Sequence, residues 1–104
     1  MNQTSNSKTF TNLVINTEAT AKNIAMYIKE SDLKISQLQN LFGFEKPQAI
    51  YYWRDGKYLP SVDNLFKLAF FLNKSVNDII VTETRENEAL ADVPEKFRVN
   101  KINA

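Results

Sequence analysis

The stretch Lys46-Pro-Gln-Ala-Ile-Tyr-Tyr-Trp-Arg54, with Lys57 and Tyr58 just beyond it, gathers hydrogen-bonding, aromatic and cationic side chains into one short segment. Gln48 offers an amide that donates and accepts, Tyr51 and Tyr52 offer hydroxyls, and Lys46, Arg54 and Lys57 carry positive charge. This is the chemistry of directional recognition rather than of bond making. The chain has no His and no Cys, which removes thiol nucleophiles, disulfides, zinc-finger ligands and the commonest general acid–base residue. Its acidic residues are scattered over helix faces without pairing. No catalytic activity, cofactor or metal site is therefore expected.

Stepping outward to the elements that must hold these residues, the spacing predicts five helices between residues 17 and 81. Ala21, Ile24, Ala25 and Ile28 recur at helical intervals within about Glu18–Glu30. Ser31-Asp32 ends that helix, and Asp tolerates a left-handed cap. A second helix is expected over Ile35–Phe42, with Ile35, Leu38, Leu41 and Phe42 inward and Gly43 as its left-handed stop. Its start can be read at Ser36, through a Ser36-x-x-Gln39 capping box, or at Lys34; the second is preferred because it keeps Ile35 inside the helix. Proline suits a first helical turn, so a third helix begins at Pro47 and ends before Asp55-Gly56. Ser61 caps a fourth, with Leu65, Leu68, Ala69 and Leu72 inward and Asn73 as its stop. Ser75-Val-Asn-Asp78 reads as a capping box opening a short fifth helix with Ile79 and Ile80.

The chain has two glycines, and both fall at the ends of helices flanking a single turn-and-helix unit. Helix, tight turn and helix is the arrangement of a helix-turn-helix, whose second helix lies in the DNA major groove. Here the bracing helix would be 35–42 and the inserted one 46–54. Ile50 and Trp53, three apart, should pack inward and leave Gln48, Ala49, Tyr51 and Tyr52 on the remaining surface. A Gln amide can pair bidentately with adenine, worth roughly 1–3 kcal/mol of discrimination. Tyr51 and Tyr52 could donate to a phosphate or a base acceptor, or pack on a thymine methyl. Lys46, Arg54, Lys57 and Tyr58 surround the helix ends, where phosphates would pass, and Arg54 could instead pair with a carboxylate such as Glu30 or Asp55.

The segment Gly43-Phe-Glu-Lys-Pro-Gln-Ala-Ile-Tyr-Tyr-Trp-Arg-Asp-Gly-Lys-Tyr-Leu-Pro-Ser61 resembles the Xre family of lambda-repressor-like, Cro-type helix-turn-helix proteins. The likeness extends through Asp63-Asn64-Leu65, Leu68-Ala69, Leu72 and Ser75–Ile80, and back to Leu13–Thr20 and Asn23-Ile24, covering about residues 13–81. It implies an all-α, five-helix domain, dimeric binding to a paired double-stranded operator, and control of transcription. By position it implies that Gln48, Ala49, Tyr51 and Tyr52 face DNA and that Lys57 contacts the backbone. The chain departs from the family pattern at Tyr52 and Arg54, where other polar residues are usual. Lys46 stands where a capping Ser, Thr or Asn is expected, and Ile35 where a phosphate-binding Gln is common.

Outside the helical zone, residues 1–16 are expected to form an N-terminal arm and residues 82–104 a charged, solvated tail. Residues 97–102 alternate, and could pair as a strand with Leu13–Ile15 of the same chain or of a dimer mate, or dock on a protein partner. Phe66, Phe70 and Phe71 add aromatic mass to the fourth helix, either as a larger core that includes Phe10 and the N-terminal strand-like piece or as a dimer face built on the fourth and fifth helices. Net charge is only +1, with eight basic and seven acidic residues over 18–81, so DNA affinity would have to come from a local patch. No apolar run approaches the roughly 20 residues of a membrane span, and Met1–Ser7 lacks the features of a secretion signal, so a cytoplasmic location is expected. The expected function is a sequence-specific DNA-binding transcriptional regulator, taken to be a repressor acting as a homodimer. The alternative is a protein-interaction module on the same scaffold, such as an antitoxin, an anti-repressor or a phage protein.

Overall fold

The computed structural model describes residues 9–88, and side chains from 11 to 86. Elements run in the order β1 (Thr9–Ile15), α1 (Thr17–Ser31), α2 (Ile35–Phe42), α3 (Gln48–Asp55), α4 (Val62–Phe71), α5 (Val76–Ile79) and β2 (Thr82–Glu88). The five helices form one compact unit over Ile15–Val81, and the two strands belong to a second.

The all-α expectation is corrected by this second unit: β1 and β2 pair as a two-stranded antiparallel sheet. β1 is rich in β-formers (Thr9, Phe10, Thr11, Val14, Ile15). β2, Thr-Glu-Thr-Arg-Glu-Asn-Glu, has no apolar face, so its composition reads as a solvated tail. Within the helical unit the Asn16 N–H donates to the Val81 carbonyl at 2.8 Å, which fastens together the two points from which the strands depart. The partner of β1 is therefore 82–88. The expected pairing segment 97–102 and the Phe10 side chain lie outside what is described.

Local chemistry fixes each helix boundary. The Asn16 side chain accepts the Ala19 N–H at 2.9 Å and starts α1 one residue ahead of the expected Glu18. Asp32 ends it in the left-handed region at φ 64°. α2 has the expected bounds: the Lys34 N–H donates to Gln37 Oε1 at 2.8 Å, and Gly43 closes the helix at φ 75°. α3 begins at Gln48, one residue after the expected Pro47, whose carbonyl accepts the Ile50 N–H. It continues through Asp55, which had been expected to lie beyond its end. Ser61 Oγ accepts the Asn64 N–H to open α4, and Asn73 turns the chain at φ 58°. Ser75 and Asp78 exchange the two bonds of the capping box, at 2.8 and 3.1 Å, to open α5.

The core is built from Ile24, Ile28, Leu38, Ile50, Trp53, Leu65, Leu68, Ala69, Leu72 and Ile79. Phe42 stacks on Phe44 at 4.9 Å and meets the edges of Trp53 and Phe71 at 5.4 and 5.1 Å, extending it with aromatic contacts. Leu41 corrects the expected inward face of α2, being 51% exposed. Ile35, Leu38 and Phe42 share one stripe at i, i+3, i+7, and Leu41 falls to its side. Thr20 is fully buried, and its Oγ1 accepts the Val81 N–H at 2.9 Å, satisfying a backbone donor at the end of the domain.

Candidate functional site

α3 is anchored from beneath. Ile50 is fully buried and Trp53 nearly so, and α1 and α3 pack closely against each other. Ala49, expected to face DNA, is half-buried and packs against the core, so it contributes to seating the helix. What remains exposed is Gln48 at the first position, Tyr51 in the middle and Asp55 at the last, with Tyr52 half-buried. Lys46 is exposed in the turn ahead of the helix.

The C-terminal end of α3 folds back on itself. Gly56 is left-handed at φ 81°, and the Lys57 N–H donates to the Tyr52 carbonyl at 3.0 Å. That turn brings Lys57 Nζ to 4.6 Å from the centre of the Tyr52 ring, and the Tyr58 ring edge-on to Tyr52 at 5.3 Å. Tyr52, Lys57 and Tyr58 thus form one cluster. A second pairing sits beside it, with the Arg54 guanidinium 4.8 Å from the centre of the Tyr51 ring.

Arg54 is also bound to its neighbour: its Nε donates to Asp55 Oδ1 at 3.3 Å. Of the two carboxylates open to Arg54 from the sequence, Glu30 and Asp55, the fold pairs it with Asp55. Asp55 stands seven residues after Gln48, so both share the outward face. Its carboxylate takes up part of the Arg54 charge and leaves Lys46 and Lys57 as the more available cations of the surface. Gln48, Tyr51, Tyr52, Arg54, Lys57 and Tyr58 are brought onto or beside one helix. Ala49 is drawn partly inward.

Among the described residues no three acidic, His or Cys side chains converge as metal ligands. A depression of about 360 Å³ beside the end of α3 is lined by Glu18, Lys22, Arg54 and Asp55, a mixture of signs without a buried polar group. No helix among the described residues is long and apolar enough to cross a membrane. The surface can offer an amide with both donor and acceptor, phenol hydroxyls, aromatic faces and two exposed ammonium groups to a flat, polar, anionic partner. No protein-family model, curated protein or solved structure matches the chain.

Proposed function

We propose that the chain is a sequence-specific DNA-binding regulator of transcription, a repressor, that lays α3 in the major groove and binds paired half-sites as a homodimer. The observation that carries this reading is the division of α3 between a buried side, Ile50 and Trp53, and an exposed side led by Gln48 and Tyr51, with Tyr52 half-buried beside them. A rigidly seated helix with polar side chains outward suits a groove about 12 Å wide. Gln48 reads an adenine edge, Tyr51 and Tyr52 contact bases or phosphate, and Lys46, Lys57 and Tyr58 hold the backbone on either side. Arg54 assists from its place over Tyr51. The resemblance to the Xre family over residues 13–81 supports the same assignment.

The test is selection of bound duplexes from a random pool, followed by affinity measurements on the enriched sequence over a range of salt. A common motif and a slope of log affinity on log salt near −0.9 per neutralised phosphate are expected. The pairing of Arg54 with Asp55 and the near-neutral charge favour one second reading, a protein-interaction module on this scaffold. Absence of DNA binding at low salt would select it.

A further inference from the structure

The C-terminal ends of α1 and α4 meet around a depression of about 420 Å³, lined by none of the residues of α3. Its size falls within the roughly 300–1,000 Å³ of small-molecule sites. Leu33, Phe71 and Leu72 supply an apolar wall, Tyr27 an aromatic face, and Glu30 and Lys74 two exposed charges of opposite sign. The backbone brings Lys74 there. Asn73 turns the chain at φ 58°, and the Lys74 N–H donates to the Ala69 carbonyl at 2.8 Å, closing α4 and returning the chain towards α1. The Lys74 ammonium then comes to 4.7 Å from the centre of the Tyr27 ring. Although both charges line one depression, they form no ion pair with each other, and neither side chain hydrogen-bonds another described residue. Lys74 acts on Asp78 through its field rather than through a bond. The depression thus offers three N–H donors and two carboxylate oxygens, held apart beside an apolar wall.

We propose that this depression binds a free α-amino acid with a large apolar side chain. The ligand carboxylate meets Lys74, its ammonium meets Glu30, and its side chain lies against Leu33, Phe71 and Leu72. The charges select the zwitterion. A simple cation would be drawn to Glu30 but repelled by the Lys74 ammonium, and a simple anion meets the reverse conflict. A neutral apolar molecule would strip water from both charges and pair with neither. A ligand bearing both signs answers both groups, and its side chain gains from the apolar wall. Tyr27 is a positioning residue: its ring holds the Lys74 ammonium in place, so less order is lost when the carboxylate arrives. The site goes beyond DNA recognition, and it holds or fails whether or not the chain binds DNA.

The experiment is an amide chemical-shift titration of the full chain by NMR, with phenylalanine as the probe up to about 50 mM. Saturable shifts at Tyr27, Leu33 and Lys74 are expected, with a Kd of about 1 mM or below. N-acetylphenylalanine and phenylalaninamide each lack one charge and should bind about tenfold more weakly, as should glycine, which lacks the side chain. Glu30→Gln should weaken phenylalanine about five- to tenfold without weakening N-acetylphenylalanine. Lys74→Met should do the same to phenylalanine and spare phenylalaninamide. Both residues are exposed, so these variants should melt with the parent chain. Tyr27→Leu should follow Lys74→Met in weakening phenylalanine and sparing phenylalaninamide, and Tyr27→Phe should retain binding. The absence of saturable shifts over the whole range overturns the proposal. So does equal binding of phenylalanine and its two single-charge derivatives, or a phenylalanine affinity that Glu30→Gln and Lys74→Met leave unchanged.

Discussion

The Lys57 ammonium lies 4.6 Å from the centre of the Tyr52 ring, so a backbone turn and an aromatic face together fix where this positive charge is displayed. Holding a flexible lysine over a ring reduces the ordering needed when an anion arrives. Tyr52→Leu should release it and lower affinity for any DNA by about two- to fivefold, as expected for an exposed cation–π contact. Tyr52→Phe should keep affinity close to that of the parent chain. Fluorescence anisotropy on one labelled duplex compares the pair, and equal losses would assign the effect to the hydroxyl instead of the ring.

Gln48 is the first residue of α3 and is exposed. Gln48→Ala should reduce binding to a selected operator by roughly 1–3 kcal/mol and leave binding to unrelated duplex nearly unchanged. Competition titrations with both DNAs measure the difference. The same loss on both would show that this side chain does not read sequence.

Gly43 and Gly56 both adopt positive φ, 75° and 81°, but in different surroundings. A Cβ at Gly43 meets nothing within 4 Å, so Gly43→Ala should cost about 1–2 kcal/mol from backbone strain alone. At Gly56 a Cβ would also stand 3.3 Å from the Ala21 Cβ, where α1 passes close. Gly56→Ala should therefore lower the urea midpoint further than Gly43→Ala, and adding Ala21→Gly should recover part of the difference.

Asp78 gives a pH dependence with a definite sign. The Ser75 backbone N–H donates to its carboxylate, the Ser75 hydroxyl bonds it as well, and Lys74 adds positive charge, together holding it below its ordinary value of 3.8. A depressed folded-state value means that the stabilisation is complete above the unfolded carboxylate value and is lost as pH falls through the folded one. Asp78→Asn should thus lower the denaturant midpoint at neutral pH, and the gap should close progressively below about pH 4. A gap that persists at pH 2 would mean that Asp78 stabilises α5 without its charge.

Punctuation and periodicity in the sequence determined most of the helical unit. Asp32, Gly43, Gly56 and Asn73 mark left-handed turns, and Ser61 and Ser75 mark helix starts. The reason is local: a left-handed φ or a capping oxygen is decided by one residue and its near neighbours. The inward places of Ile50 and Trp53 followed from helical spacing in the same way.

Tertiary structure decided what depends on distant partners. Residues 82–88 form a strand only because residues 9–15 pair with them, and a polar strand carries no periodic signal of its own. Leu41 is apolar yet exposed because neighbouring helices meet α2 along the stripe of Ile35, Leu38 and Phe42. For the recognition surface, the sequence supplied the residue types. Only the folded chain set Lys57 over Tyr52, chose Asp55 over Glu30 as the partner of Arg54, drew Ala49 towards the core and left Phe66 exposed. Burial and charge pairing depend on which surfaces meet in space, and spacing along the chain does not record that.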